Sequence, residues 1–255
     1  MWKLVLGLSA AAAITTVTLA VHHSSSVASA ATPAALAATP TITPPAAAKP
    51  PVPHAAARAV PARPDAPTNL QEVDPDQAID AATIARTGLY RGIARGPANA
   101  PVTIVVFADL QCEYCGKVLG TIDQLWDEYP GKLRLVMKQF PLPQHKFAEM
   151  AAEATLAADA QDQFWPYHDL VLASQDDLSH DRLIAIAAQV GLDVARFTAD
   201  LDGHRFAAAI AADQQVAKEL EVNATPSFII DGVKFAGARS IESFRELIDA
   251  ALARI

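Results

Sequence analysis

The sequence predicts an α/β domain: a parallel strand-helix-strand unit, a block of inserted helices, then a β-hairpin and a closing helix. Three stretches carry that expectation. Val102-Thr103-Ile104-Val105-Val106-Phe107 is an apolar, largely β-branched run of the kind buried in a sheet, and a short turn then delivers Cys112-Glu113-Tyr114-Cys115 to the start of a helix. In Lys132 to Phe140 (KLRLVMKQF), Leu133, Leu135 and Met137 recur at every second position until Pro141 and Pro143 stop the run. Asp231-Gly232 separates two apolar runs, Ser227 to Ile230 and Val233 to Ala236, which is a strong hairpin signal.

The 255-residue chain opens with a secretory pattern. Lys3 is the only side-chain charge of a short n-region, Val5 to Val21 are mostly apolar, and Ala28-Ser29-Ala30 supplies a small-residue cleavage site. Residues 1–30 read as a signal peptide cleaved after Ala30. Residues 4–21 are also barely long enough to cross a bilayer, so an uncleaved membrane anchor is the alternative. No cysteine precedes Cys112, which excludes a lipid-modified N-terminal cysteine.

Residues 31–67 are dominated by Ala, Pro and Thr and cannot bury enough surface to offset their ordering entropy; they are expected to be a disordered, partly polyproline-like tether. Fully extended, such a tether spans on the order of 100 Å at about 3.1 Å per residue. Residues 68–255 then form one domain of ordinary size. A formal charge of -8 argues against a nucleic-acid partner. The two cysteines share one motif, so the fold does not depend on a disulfide framework.

Within the domain, Asp74 to Arg86 begins with an acidic, proline-containing start signal and reads as a short helix, with apolar Ala78, Ile79, Ala82 and Ile84. Gly88 to Gly96 reads as a weakly alternating edge strand. After Cys115, Val118, Leu119, Ile122, Leu125, Trp126 and Tyr129 recur three and four apart until Pro130-Gly131, so they share one helix face. The strands flanking that helix are expected to lie parallel, joined by a right-handed crossover.

From Pro143 to Val222 the patterns are helical: His145 to Ala160, Phe164 to Ala173, Ser179 to Val190 ending at Gly191, Asp193 to Leu201, and Arg205 to Leu220. That is more helix than a simple crossover needs, and it reads as an inserted helical subdomain at about 143–222. The last helix starts at Ser240 and places Ile241, Phe244, Leu247, Ile248, Ala251, Leu252 and Ile255 on the face that packs on the sheet. His145 and His168 read as surface or helix-end residues in helical segments, and Trp126 and Trp165 as core.

The dithiol is where the chemistry lies. At a helix N-terminus, unpaired N–H groups and the positive end of the dipole favour a thiolate at Cys112. Such surroundings bring a cysteine pKa of about 8.5 down to roughly 3.5–7.5. Cys115, one turn on and closer to the core, is placed to attack a mixed disulfide formed at Cys112. A structural staple is a poor alternative, because closing so short a loop contributes only about 2 kcal/mol, against nearly 5 for a loop of a hundred residues. A zinc site needs about four ligands, and none of the seven histidines stands at ligand-like spacing from the pair.

F-A-D-L-Q-C-E-Y-C at Phe107 to Cys115, A-T-P-S-F at Ala224 to Phe228 and F-W-x-x-H-D at Phe164 to Asp169 complete the pattern. With the order of elements, they resemble the thioredoxin fold as elaborated in the DsbA-like thiol-disulfide oxidoreductases, over roughly Gly92 to Ile255. The resemblance implies a cis peptide at Pro226, beside the cysteines, with Thr225 offering backbone hydrogen bonds to a substrate chain.

Two positions depart from the family pattern. Many relatives carry a buried acid six residues before the first cysteine, where this chain has Val106, so Asp109, Lys138 or water becomes the candidate proton carrier for Cys115. Glu113, in the Glu113-Tyr114 dipeptide that modulates the pair, opposes the thiolate by like-charge repulsion. Cys112 is therefore expected to titrate below 8.5 but above the strongest oxidants of its kind.

These features together imply an exported thiol-disulfide oxidoreductase of the periplasm or cell envelope that needs no bound cofactor and no metal. Its expected partners are unfolded or cysteine-containing exported proteins and a redox partner, with residues 4–21 as the tether if the N-terminus stays in the inner membrane. The resemblance favours disulfide donation, whereas Glu113-Tyr114 and Thr225 look more like features of reductases and isomerases. A rival of another class is a non-catalytic thioredoxin-like binding or metal-carrier module.

Overall fold

The structure, a computed structural model, describes residues 78–255. The signal or anchor segment, the linker and the expected start of the domain at residue 68 lie outside the described residues. Helix α1 (Ala81–Thr87) starts at Asp80, whose carboxylate accepts the Thr83 N–H at 2.8 Å, and stops at Gly88 in the left-handed region. The described part of the helix expected from Asp74 thus begins at Ala81. Ala78 and Ile79 precede the cap, and the Ile79 N–H bonds the Gly232 carbonyl instead.

The edge strand expected over Gly88 to Gly96 shrinks to β1 (Ala94–Arg95). At Gly96 the backbone has φ 97°, and a Cβ there would stand 2.4 Å from the Leu133 carbonyl; only glycine allows so close an approach. β2 (Val102–Ala108), α2 (Glu113–Glu128) and β3 (Leu133–Gln139) form the expected parallel unit, paired from Val102 opposite Leu133 to Ala108 opposite Gln139.

Five helices follow: α3 (Ala148–Asp159), α4 (Phe164–Leu172), α5 (His180–Val190), α6 (Val194–Asp202) and α7 (Ala207–Glu219). Their ends obey local chemistry. Gly191 closes α5 at φ 86°, and the Asp193 carboxylate caps α6 by accepting the Arg196 N–H at 3.0 Å. β4 (Ser227–Ile230) and β5 (Val233–Ala236) are joined by Asp231 and Gly232, both at positive φ, as a two-residue hairpin turn of this hand requires. α8 (Ile241–Leu252) ends the fold.

The sheet order is β1-β3-β2-β4-β5, with β1, β4 and β5 antiparallel to their neighbours. Alternation along the strands builds two cores. Ile104, Val106, Ala108, Leu135, Met137, Phe228 and Ile230 join the buried faces of α2, α8 and the helices α3 to α6. Val105, Phe107, Val136 and Ile229 instead cluster with Leu89, Ala217, Leu220 and Val222, so α7 covers the opposite face. Phe228 locks the hairpin to α8, its ring 5.3 Å from Phe235 and 4.9 Å from Phe244. Among the described residues no helix is long and apolar enough to cross a membrane.

One contact makes the fold sensitive to pH. Glu153 is buried in α3; one of its carboxylate oxygens pairs with His204 Nδ1 at 2.9 Å and the other has no hydrogen-bond partner. The hydrogen bond to Glu153, followed by the charges of Glu153, Glu149 and Asp202, raises the His204 pKa above its ordinary 6.5. The pair therefore contributes fully below the unfolded value near 6.5 and is lost as pH rises through the higher folded value. With the two cysteines joined as a disulfide, so that neither titrates, the urea midpoint of the domain is expected to fall between about pH 6 and about pH 8.5, and to fall less in His204→Asn. Equal pH slopes for the two proteins would exclude this linkage.

Candidate active site

Cys112 caps α2 with an extended backbone (φ -74°, ψ 118°), which sets its side chain before the free N–H groups of the first turn. β2 delivers it there, and the Cys112 N–H donates back to the Asp109 carbonyl at 3.0 Å to close the connecting turn. Thr225-Pro226, just ahead of β4, is a cis peptide. The Cys112 thiol donates to the Thr225 carbonyl at 3.4 Å, which brings the two sequence motifs together. Both cysteines are free thiols with only 6% and 3% of their surface exposed.

The two sulfurs have opposite electrostatics. The Cys115 thiol donates to Cys112 and is the largest cause of a Cys112 pKa lowered to about 5. The Thr225 side chain and the backbone N–H groups of Cys115 and Tyr114 act in the same direction, while burial opposes them. Cys115 is pushed far up, first by that same hydrogen bond, then by burial and by the negative charge of Cys112. The pair is thus asymmetric, with the anion favoured at Cys112 and the thiol at Cys115.

Glu113 is exposed and forms an ion pair with Lys117 one turn on, so a cation stands beside the carboxylate that was expected to oppose the thiolate. Tyr114 is 46% exposed, with Lys117 Nζ 5.2 Å from its ring centroid. The candidate proton carriers fare differently. Lys138 is buried but follows the β3 alternation to the α7 face, where its Nζ bonds Asp213 at 3.0 Å; the structure does not bring it to the cysteines. Burial raises the Asp213 pKa, and Lys138 partly offsets that.

Asp109 is buried beside the dithiol, but its carboxylate is occupied. It accepts the Gln111 N–H at 2.7 Å, the Leu142 N–H at 2.8 Å and a hydrogen bond from His145 Nδ1 at 2.7 Å. That anchoring corrects the expectation for His145, which lies in a turn rather than in a helix: α3 begins three residues later, at Ala148. His168 is also corrected, being buried in α4 with its ring stacked on Phe164 at 5.5 Å.

Two glutamines near the cysteines escape a sequence reading. Gln111 Oε1 accepts the Phe147 N–H at 2.7 Å, and Gln175, in the turn after α4, donates to the Leu110 and Cys112 carbonyls. Gln175 is 63 residues from Cys112, a contact that no local spacing announces.

A dithiol at a helix start, faced by a cis-proline turn on a sheet of this order, is the arrangement of a thioredoxin-fold domain. The family model described as Thioredoxin matches residues 90–250, and the chain belongs to that family. A thioredoxin-like oxidoreductase from Silicibacter pomeroyi superposes with a TM-score of 0.61 at 25% identity, covering 68% of this chain and 98% of that one. The thiol-disulfide exchange protein alpha-DsbA2 of Wolbachia pipientis gives 0.60 at 22% identity, covering 66% and 94%. The catalytic domain of Proteus mirabilis ScsC gives 0.59 at 18% identity, covering 68% and 98%.

Among curated relatives, a protein named Na(+)/H(+) antiporter NhaA 3 of Salinispora tropica is 39% identical over 164 residues, 64% of this chain. The match spans only 25% of that relative's length.

The site predicts its own titration. Alkylation rate against pH should give a Cys112 midpoint near 5, and Cys115→Ala, by removing the strongest donor, should move that midpoint upward. Because the folded value lies below the ordinary 9.0, the thiolate stabilises the reduced fold fully above that value, and the contribution is lost as pH falls through about 5. A midpoint that ignores Cys115→Ala would show that the second thiol does not set the first.

Proposed function

We propose that this protein exchanges disulfides with cysteine-containing exported protein chains through Cys112 and Cys115, chiefly as a disulfide donor. The observation that supports it most directly is the stabilised Cys112 thiolate next to the Thr225-Pro226 turn, since a dithiol whose reduced form is stabilised gives its disulfide away readily.

In that direction a substrate thiolate attacks Cys112 Sγ of the Cys112–Cys115 disulfide. The sulfur–sulfur bond breaks, Cys115 leaves and takes a proton, and a mixed disulfide joins the substrate to Cys112. A second substrate thiolate then attacks the substrate sulfur and expels Cys112 as the thiolate that the helix start stabilises. The substrate is oxidised by two electrons and the dithiol reduced by two, so a separate redox partner must reoxidise the pair. Thr225 and Pro226 support substrate binding by placing backbone groups beside the reacting sulfur.

The secretory pattern of residues 1–30 supports action outside the cytoplasm, and the relatives named as antiporters support a location at a membrane. Glu113 and Tyr114, exposed between the cysteines, are the residues that would tune the pair toward the reductase or isomerase alternative.

Equilibration with glutathione distinguishes the directions: a potential near about -120 mV supports the donor, and one near about -270 mV the reductant. Cys115→Ala should trap a mixed disulfide with a disulfide-bonded client: the Cys112 thiolate attacks one client sulfur, the other leaves as a thiolate, and no second protein thiol remains to release the adduct. No trapped adduct, with neither insulin reduction nor peptide oxidation by the wild type, would leave the non-catalytic binding module standing.

A further inference from the structure

Gln175 lies in the turn between α4 and α5, outside the elements that carry the cysteines, yet its side chain ends at the dithiol. Its Nε2 donates to the Leu110 carbonyl at 2.9 Å and to the Cys112 carbonyl at 2.8 Å. An amide nitrogen has two donors, and both are used on the turn that carries the nucleophile. The amide oxygen rests against α2 at Gly116, where a Cβ would stand 2.4 Å from Gln175 Oε1.

The Cys112 carbonyl also accepts the Cys115 N–H at 2.9 Å and the Gly116 N–H at 3.3 Å. Its direction is fixed by the capping ψ of Cys112, and that torsion decides whether Sγ faces the N–H groups of the first turn.

We propose that Gln175 is a positioning residue of the active site: by holding the Leu110 and Cys112 carbonyls, it keeps Cys112 in its capping geometry and couples the helical insert to the reactivity of the dithiol. This rests on the thiol-disulfide function above, with Cys112 as the nucleophile. Gln175 touches no reacting atom and works through the backbone of Cys112.

Two variants test it from opposite sides of the contact. Gln175→Leu keeps bulk against Gly116 and removes both donors. Gly116→Ala leaves Gln175 in place, improves helix propensity, and puts a methyl group where the amide oxygen rests. In the reduced, folded proteins each is expected to move the Cys112 alkylation midpoint to higher pH and to slow labelling below the midpoint by about fivefold, the size of one ordinary hydrogen bond. The double variant is expected to shift no further than the larger single one, because both break the same contact.

Midpoints unchanged in both folded variants, or fully additive shifts, overturn the proposal. So does lost thermal stability with an unaltered pH profile, since a merely structural side chain would behave that way. If Gln175→Leu does not fold, Gly116→Ala alone decides. A wild-type protein that titrates as described but exchanges no disulfides counts against the proposed function and leaves the Gln175 result intact.

Discussion

The active site is organised by the interaction of two neighbouring sulfurs, which favours the anion at Cys112 and the thiol at Cys115. Cys112 and Cys115 are too close for both to carry charge, so stabilising one anion forces the other to remain a thiol. The surrounding architecture chooses which. Cys112 stands before the first turn of α2, while Cys115, one turn into the helix, faces the core. β2 supplies the approach to the helix, and β4, beside it in the sheet, brings the cis-proline turn to the same end.

Most of the scaffold was legible because its signals are local. The buried run of β2, the helix face after Cys115, the Asp-Gly turn and the glycine after α5 each need only a few neighbouring residues to act, and each appears where expected. The dithiol and the Thr-Pro turn were legible for the same reason, although only the resemblance pointed to the cis isomer. What escaped depends on distance along the chain. Asp80 caps α1 through a hydrogen bond that composition alone does not announce. β1 ends before Gly96, whose backbone lies so close to the Leu133 carbonyl, far away in the chain, that a Cβ would clash.

The polar residues around the site show the same division. Lys138 was a reasonable proton carrier by sequence, yet strand alternation alone turns it to the other face, where α7 supplies Asp213. Asp109 was correctly placed near the cysteines but is committed to the loop that leads into α3. With Val106 apolar and both candidates diverted, the groups that act on the ionisation of Cys115 are Cys112, Thr225 and the Asp109 backbone. The helical insert contributes to the centre by bonding the turn before α2: His145 holds the Asp109 carboxylate, the Phe147 N–H holds Gln111, and the Gln175 amide holds the Leu110 and Cys112 carbonyls.

The margins of the sheet carry a different consequence. At one side β1 has two residues, and at the other β5 has four, with Lys234 reaching across to the Leu220 and Glu221 carbonyls. Short borders crossed by a lysine give an extended polypeptide little to add itself to as another strand. The sheet is thereby protected from becoming the seed of an aggregate.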